Sequence, residues 1–469
     1  MLQTNNENLI LKTDSYKVSH WRQYPKGTSS VLSFLESRGG QFPESVFFGL
    51  QYLIKRHLLG AVVTAEDIAE AREVFASHFG DPTLFNEAGW QYILDKYQGR
   101  LPVRIRAVPE GTILPVHNVM MTVENTDSKV PWLTNYLETI LCQIWYPITV
   151  ATQSRSMRDL IVRALQETGD PALIDFKLHD FGYRGSTSDE SSGIGGAAHL
   201  INFKGTDTMS AVNLLRKYYH EPMAGFSIPA AEHSTITSWG RSHEVDAFDN
   251  MLTSFPTGLV AVVSDSYNVF EACSDLWGIK LRDKVLNRDG VLVVRPDSGY
   301  PPEIVVKVLD ILGSRFGYTY NPKGYKVLHP KVRVIQGDGI THPMLGTILE
   351  AMKAEHWSAD NLAFGSGGGL LQKVDRDTMK FAFKASAVKI GGLWDDVYKD
   401  PITDPGKKSK AGRLKLVLDN GIYKTIRVEE NNLPDELVTV FENGELLVDQ
   451  TFSEVRDRVH GNEIAVVAG

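Results

Sequence analysis

Hydrophobic and polar positions change rhythm twice along the chain. In residues 65–79 and 87–97 apolar side chains recur at helical steps, which predicts helices there. Residues 103–108 and 113–123 read as extended and carry turn formers between them, which predicts strands. A mostly apolar stretch at 132–149 reads as a helix ended near Pro147. From about residue 172, short apolar runs at 172–178, 259–263, 291–294, 332–335 and 362–364 each give way to a polar or glycine-rich segment. Helical patterns such as 302–312 and 343–353 lie between them. Strand, polar turn, helix, strand is the signature of parallel βα units. In barrels of that kind chemistry gathers at the C-terminal strand ends, so these polar ends predict one shared rim. Past residue 400 a basic, Gly/Pro-punctuated loop at 404–413 precedes alternation at 414–418 and 422–428. That alternation predicts antiparallel strands joining the early extended segments. The expected organisation is an α/β barrel over 151–384, with a second β-rich α+β domain composed of 1–150 and 385–469.

Composition narrows the function classes. With 42% hydrophobic and 23% charged residues the chain is an ordinary globular one. Its 49 basic and 57 acidic residues give a net charge of −8, which argues against a nucleic-acid coat. The first twenty residues show no basic segment followed by an apolar one, so no secretory signal is expected. No stretch approaches the roughly 18 apolar residues of a membrane span, so no membrane partner is expected either. Cys142 and Cys273 are too few for a disulfide framework or a multi-Cys zinc site, and they suit a cytoplasmic location.

Several nucleotide motifs are missing. There is no G-x-x-x-x-G-K-[ST] loop, and no paired-histidine zinc spacing. Gly193-Ile194-Gly195-Gly196-Ala197-Ala198 follows serines rather than a strand, so it reads as a tight helix start. The strongest anion signal is Gly365-Ser366-Gly367-Gly368-Gly369 after a short apolar strand. Glycines there let backbone N–H groups approach a phosphate. Arg376 and Lys384 follow it and could add charge. Asp297 and Asp338 each stand past a strand beside glycine, where a carboxylate can hold ribose, assist Mg²⁺ or simply cap the next helix. Asp207 likewise reads as a helix cap or a hydrogen-bond acceptor. His233, between Glu232 and Ser234, suits proton transfer, a phosphorylated nucleophile or a structural role. Phe181 and Arg295 could sandwich a planar ring.

Taken together the motifs resemble one family. Thr13-Asp14-Ser15-Tyr16-Lys17, His179-Asp180-Phe181-Gly182-Tyr183-Arg184-Gly185 and Lys204-Gly205-Thr206-Asp207 are similar to those of the nicotinamide phosphoribosyltransferases. So are Ala231-Glu232-His233-Ser234, Ser264-Asp265-Ser266, Arg295-Pro296-Asp297, Gln336-Gly337-Asp338 and the glycine loop, in order from about residue 9 to the C-terminus. The resemblance implies a type II phosphoribosyltransferase fold, an irregular α/β barrel beside a β-rich domain. It implies a homodimer with active sites at the subunit interface. The implied reaction joins nicotinamide to 5-phosphoribosyl-1-pyrophosphate, with Mg²⁺ present, giving nicotinamide mononucleotide and pyrophosphate. ATP is an implied co-substrate, hydrolysed through a phosphohistidine at His233 with Glu232 beside it.

The same resemblance assigns residues. Phe181 and Tyr16 of the partner subunit would stack on the pyridine; Asp207 would accept from the carboxamide; Arg295, Ser227 and Ser264 would belong to the substrate site. Asp297, Gly337 and Asp338 would hold ribose, with Asp297 also facing the metal largely through phosphates and water. Gly367, Gly368, Arg184, Arg376, Lys384 and, supplied across the interface, Arg38, Lys399 and Lys407 would face phosphates. Two departures stand out. Asn268 replaces the family's Asp, which puts a metal or ribose contact in doubt, and the segment after Arg38 is short. Alternative readings are a nicotinate phosphoribosyltransferase and a non-catalytic binding protein on the same scaffold.

Overall fold

A computed structural model describes residues 7–403 and 407–467, with side chains as far as residue 461. Residues 404–406 of the basic loop lie outside the described residues. The chain divides into two compact units. One holds the described residues up to Thr152, Lys217–His220 and those from Asp375 onward; the other holds Gln153–Arg216 and Glu221–Val374. The boundary expected at 384 therefore falls ten residues earlier, because the strand Phe381–Ile390 pairs with Thr28–Ser37 in the first unit.

In the first unit seven strands make one antiparallel sheet. Their order is Leu393–Asp396, Phe381–Ile390, Thr28–Ser37, Val119–Asn125, Val103–Ala107, Val438–Glu442, Glu445–Leu446. Thr28–Ser37 sits centrally and its last eight residues are all buried, as a strand covered on both faces must be. The predicted hairpin forms over Leu414–Asp419 and Ile422–Arg427, but as a separate two-stranded sheet. Its turn uses Asn420 and Gly421, both at positive φ, the geometry that matches strand twist. The strands that do join the early ones are Phe381–Ile390 and Val438–Glu442.

The helices Ala65–Phe79 and Glu87–Tyr97 form as predicted. The first starts on a reciprocal capping box between Thr64 and Asp67. The helix expected over 132–149 is instead three pieces, Leu133–Tyr136, Glu138–Cys142 and Trp145–Thr168. Pro147 opens the third rather than ending the stretch, because its missing N–H falls in a first turn that has no acceptor to satisfy.

The second unit contains the parallel strands. Six pair in the order Gly205–Thr206, Leu178–Asp180, Leu362–Ser366, Val332–Gln336, Asp289–Arg295, Thr257–Val263. The sheet curls, and the irregular segment 226–230 closes it. Phe226 bridges Gly205 on one side and Ala230 bridges Ala261 on the other. Ala261, Val293 and Ile335 fill the interior with Phe181, Ile228 and Ala363 packed on them. This is the irregular α/β barrel, with a sheet-rich second unit. The glycine run at 193–198 lies within the helix Asp189–Leu200 and does not start it; Ser188 caps that helix. A Cβ on Gly196 would come 2.7 Å from the Ala211 Cβ, so these glycines serve close packing against the helix Met209–Tyr218. Among the described residues no helix is long and apolar enough to cross a membrane.

Candidate active site

Each barrel strand stops on a residue that turns out of the sheet, and the six stops share one end of the barrel. Phe181 and Gly182 follow Leu178–Asp180; Asp207 follows Gly205–Thr206; Asp265 follows Thr257–Val263. Asp297 follows Asp289–Arg295, Gly337 follows Val332–Gln336, and Gly367 follows Leu362–Ser366. A cavity of about 200 Å³ opens there. Phe181, Arg184, Arg295, Asp297, Gly337, Gly367 and Gly368 line it, with Gly182 and Gly185 beside them. Seven residues expected from the sequence thus meet in one place.

Glycine makes the aromatic wall possible. A Cβ on Gly365 would lie 2.0 Å from Phe181 Cε2, inside the ring's own volume. One on Gly337 would stand 3.4 Å from the same atom and 3.5 Å from Asp297 Oδ1. The ring is half-buried, leaving a face for a flat ligand. Gly368 has open space where a side chain would project, and it begins the short helix Gly368–Leu371.

None of the three candidate carboxylates is spent on a helix cap. Asp207 accepts from the Ser227 hydroxyl, joining two residues predicted for the site. The helix after Asp297 starts at Pro301 behind Tyr300, and the one after Asp338 is capped by Thr341. Arg295 Nη2 donates to Asp297 Oδ2 at 3.3 Å. The Asp297 carboxyl is nevertheless pushed above the usual carboxylate range, first by burial. Arg295 and, less strongly, His233 oppose that push, and the charges of Asp265 and Asp338 add to it. Three acids thus share one field that these two basic groups only partly offset, an environment open to a divalent cation. Among the described residues no group of three or more His, Cys, Asp or Glu is arranged to hold a metal alone. Donor chemistry and charge fit a Mg²⁺ that takes most of its ligands from phosphate and water.

His233 begins the helix His233–Thr237 just past the closing segment. Its Nε2 meets Asp265 Oδ1 at 2.9 Å; the imidazole side chain is 47% exposed and the carboxylate 7%. A carboxylate held this way fixes the ring's orientation and stabilises positive charge on it. Glu232 turns instead to the Ser234 hydroxyl, which donates to it. Asp265 is not among the site residues expected from the motifs; its place two residues past an apolar strand, shared with Asp297, is the sequence signal for it.

Two residues of the strand end after Val263 are held by local hydrogen bonds. Ser264 is fully buried: its hydroxyl donates to the Val262 carbonyl at 3.0 Å and accepts from Trp277 Nε1 at 3.1 Å. It is buried among these partners and is not among the residues that line the cavity. Asn268 caps the turn Val269–Glu271, accepting from Phe270 N at 3.1 Å and Glu271 N at 3.3 Å.

The remaining predicted residues belong to the first unit. Tyr16 is 59% exposed and packs edge-on against His20. Arg38 donates through Nε to the buried Glu36 at 3.0 Å, and Lys410 donates to the same carboxylate. Arg376 and Lys384 are exposed, and both act electrostatically on the Cys142 thiol, whose pKa rises chiefly through burial. Lys399 pairs its backbone with Ser409 at the foot of the basic loop, and Lys407 is exposed along it.

Residues 176–445 match the family model described as nicotinate phosphoribosyltransferase (NAPRTase) family. Residues 8–105 match that of the nicotinamide phosphoribosyltransferase N-terminal domain. The chain is 53% identical over 461 residues to the nicotinamide phosphoribosyltransferase of Xanthomonas campestris pv. campestris (strain 8004), covering 96% of this chain and 97% of that one. It is 32% identical over 489 residues to the nicotinamide phosphoribosyltransferase of Acinetobacter baylyi, covering 95% and 96%. Its fold is similar to the crystal structure of nicotinate-nucleotide pyrophosphorylase from Pyrococcus furiosus, with a TM-score of 0.62, 15% identity and coverage of 99% and 98%. Human nicotinic acid phosphoribosyltransferase gives a TM-score of 0.56 at 16% identity, covering 96% and 93%. At such identities the structural likeness is one of fold.

Proposed function

The chain belongs to the nicotinate phosphoribosyltransferase family, and from that premise we propose that it makes nicotinamide mononucleotide and pyrophosphate from nicotinamide and 5-phosphoribosyl-1-pyrophosphate, as a step of NAD salvage. The observation that carries this reading is the Asp207 carboxylate, held by Ser227 at the strand end beside the one carrying Phe181. A carboxylate accepts hydrogen bonds and offers none. It welcomes the N–H groups of a carboxamide and repels the anionic nicotinate. Nicotinate transfer is the second reading, favoured by the family model's own name, and Asp207 speaks against it.

In the reaction the pyridine nitrogen forms a bond to C1 of the ribose as the C1–O bond to pyrophosphate breaks. Phe181 and Tyr16 of the partner subunit stack on the ring, with Arg295 alongside. Asp297, Gly337 and Asp338 hold ribose, and the N–H groups of Gly367 and Gly368 hold the 5′-phosphate. Arg184, Arg376 and Lys384, with Arg38, Lys399 and Lys407 of the partner subunit, counter the charge that builds on pyrophosphate. Positioning and this fixed positive field supply most of the rate. Mg²⁺ facing Asp297 would screen pyrophosphate charge as it leaves.

ATP coupling runs through His233. With Nε2 hydrogen-bonded to Asp265, the Nδ1 lone pair attacks the γ-phosphorus of ATP, the bond to ADP breaks, and Asp265 steadies the positive ring. The test is to incubate purified protein with nicotinamide, 5-phosphoribosyl-1-pyrophosphate and Mg²⁺, with and without ATP. Stoichiometric nicotinamide mononucleotide and pyrophosphate, formed faster with ATP, are expected. Absence of product under both conditions overturns the proposal.

A further inference from the structure

Asp180 ends the strand Leu178–Asp180, is fully buried, and does not line the cavity. Both walls of the pyridine end nevertheless hang from it. Its Oδ1 accepts from Gly182 N at 2.7 Å, and its carbonyl oxygen accepts from Asp207 N at 3.0 Å. Phe181, between those bonds, donates its own N–H to Ser366 O at 2.9 Å. The stacking ring and the carboxamide acceptor are thus fixed relative to one residue.

The second carboxylate oxygen needs a separate explanation. Oδ2 is buried and makes no well-aligned hydrogen bond; the Thr208 hydroxyl, itself without another partner, is the one neighbour that eases its charge, which is sparse support for a buried carboxylate oxygen. A Cβ on Gly196 would lie only 2.9 Å from it, so the helix behind is stripped of side chain to make room. Asparagine would bond Gly182 equally well without burying a charge. Holding the turn therefore does not account for an acid here. The charged groups around it are few. Burial chiefly raises the carboxyl's proton affinity, the Gly182 N–H and the Thr208 hydroxyl oppose this, and the Asp207 charge adds to it. His179, the neighbouring base, is itself held toward neutrality by burial, so it brings no compensating cation.

We propose that Asp180 is a positioning and specificity-determining residue for the pyridine. It fixes Phe181 and Asp207 through the main chain, and its carboxylate places a second negative group behind Asp207 that repels an anionic ring substituent. This rests on the transferase reading above. The amide of nicotinamide is neutral and ignores the added charge; the carboxylate of nicotinate does not.

Asp180→Asn separates the two roles, because it keeps an acceptor for Gly182 and drops the charge. The measurement is kcat/KM for nicotinamide and for nicotinate in the parent and two variants of the full chain. In Asp180→Asn the preference for nicotinamide should fall at least ~5-fold through a gain on nicotinate, with the nicotinamide KM within about 3-fold of the parent. In Asp180→Ala the nicotinamide KM should rise at least ~10-fold while that for 5-phosphoribosyl-1-pyrophosphate changes less than about 3-fold. The preference ratio does not depend on the fraction of active enzyme, so Asp180→Asn decides even if Asp180→Ala does not fold. An unchanged ratio in Asp180→Asn overturns the proposal, as does a proportional rise of both KM values in Asp180→Ala. A parent enzyme that itself prefers nicotinate overturns the transferase reading, and this inference with it.

Discussion

His233 and Asp265 meet through a 2.9 Å hydrogen bond in which a half-exposed imidazole rests on an almost buried carboxylate. The carboxylate contributes most when the ring becomes positive, as it does on phosphorylation. Asp265→Asn should therefore lower phosphate transfer from ATP to His233 by at least ~10-fold, judged by the triad precedent. Acid-labile incorporation of the γ-phosphate into the intact chain measures it. Equal incorporation in parent and variant would show that the pair is structural.

Gly365 tests the aromatic wall. A methyl group there would occupy the space of the Phe181 ring, at 2.0 Å from Cε2. Gly365→Ala should raise the nicotinamide KM more than that of 5-phosphoribosyl-1-pyrophosphate, and cost about 1–3 kcal/mol of stability. Steady-state kinetics and a thermal melt together check this; an unchanged nicotinamide KM would mean that Phe181 does not face the pyridine.

Asp207 tests the choice of substrate. Asp207→Ser removes the repelling charge and leaves a hydroxyl beside Ser227. The kcat/KM ratio for nicotinamide over nicotinate should fall at least ~10-fold, about 1.4 kcal/mol or more. A ratio that stays with nicotinamide would move selectivity elsewhere in the pocket.

Asp180 makes stability depend on pH in the sense opposite to an ion-paired acid. Burial raises its pKa from 3.8 to about 6, so the folded chain holds the proton more tightly than the unfolded one. Its contribution is favourable below pH 4 and is lost as pH rises through about 6, on the order of 3 kcal/mol in all. Asp180→Asn removes that loss. Its melting temperature should match the parent's near pH 4 and exceed it at pH 7.5; a constant gap would place the charge in water.

Much of this was legible in the sequence where local rules decide. The helix Ala65–Phe79 declares itself through Thr64 and Asp67, and strand ends such as Asp297 and Gly367 through apolar runs that stop on polar residues or glycine. Long-range pairing was not legible. Nothing in residues 381–390 says that they lie beside Thr28–Ser37 while 414–427 pair only with themselves. Side-chain direction at a strand end was equally hidden. Ser264 and Asp265 are adjacent, yet one donates into the core and the other holds His233. Asp180 was invisible for a related reason, since its importance lies in what its main chain and carboxylate hold rather than in what it faces.

The most direct test is a competition in one tube. Purified protein receives equal nicotinamide and nicotinate with 5-phosphoribosyl-1-pyrophosphate, Mg²⁺ and ATP, and mass spectrometry resolves the two mononucleotides. Nicotinamide mononucleotide is expected to dominate from the earliest time points. Predominant nicotinate mononucleotide, or no mononucleotide at all, would contradict the central reading.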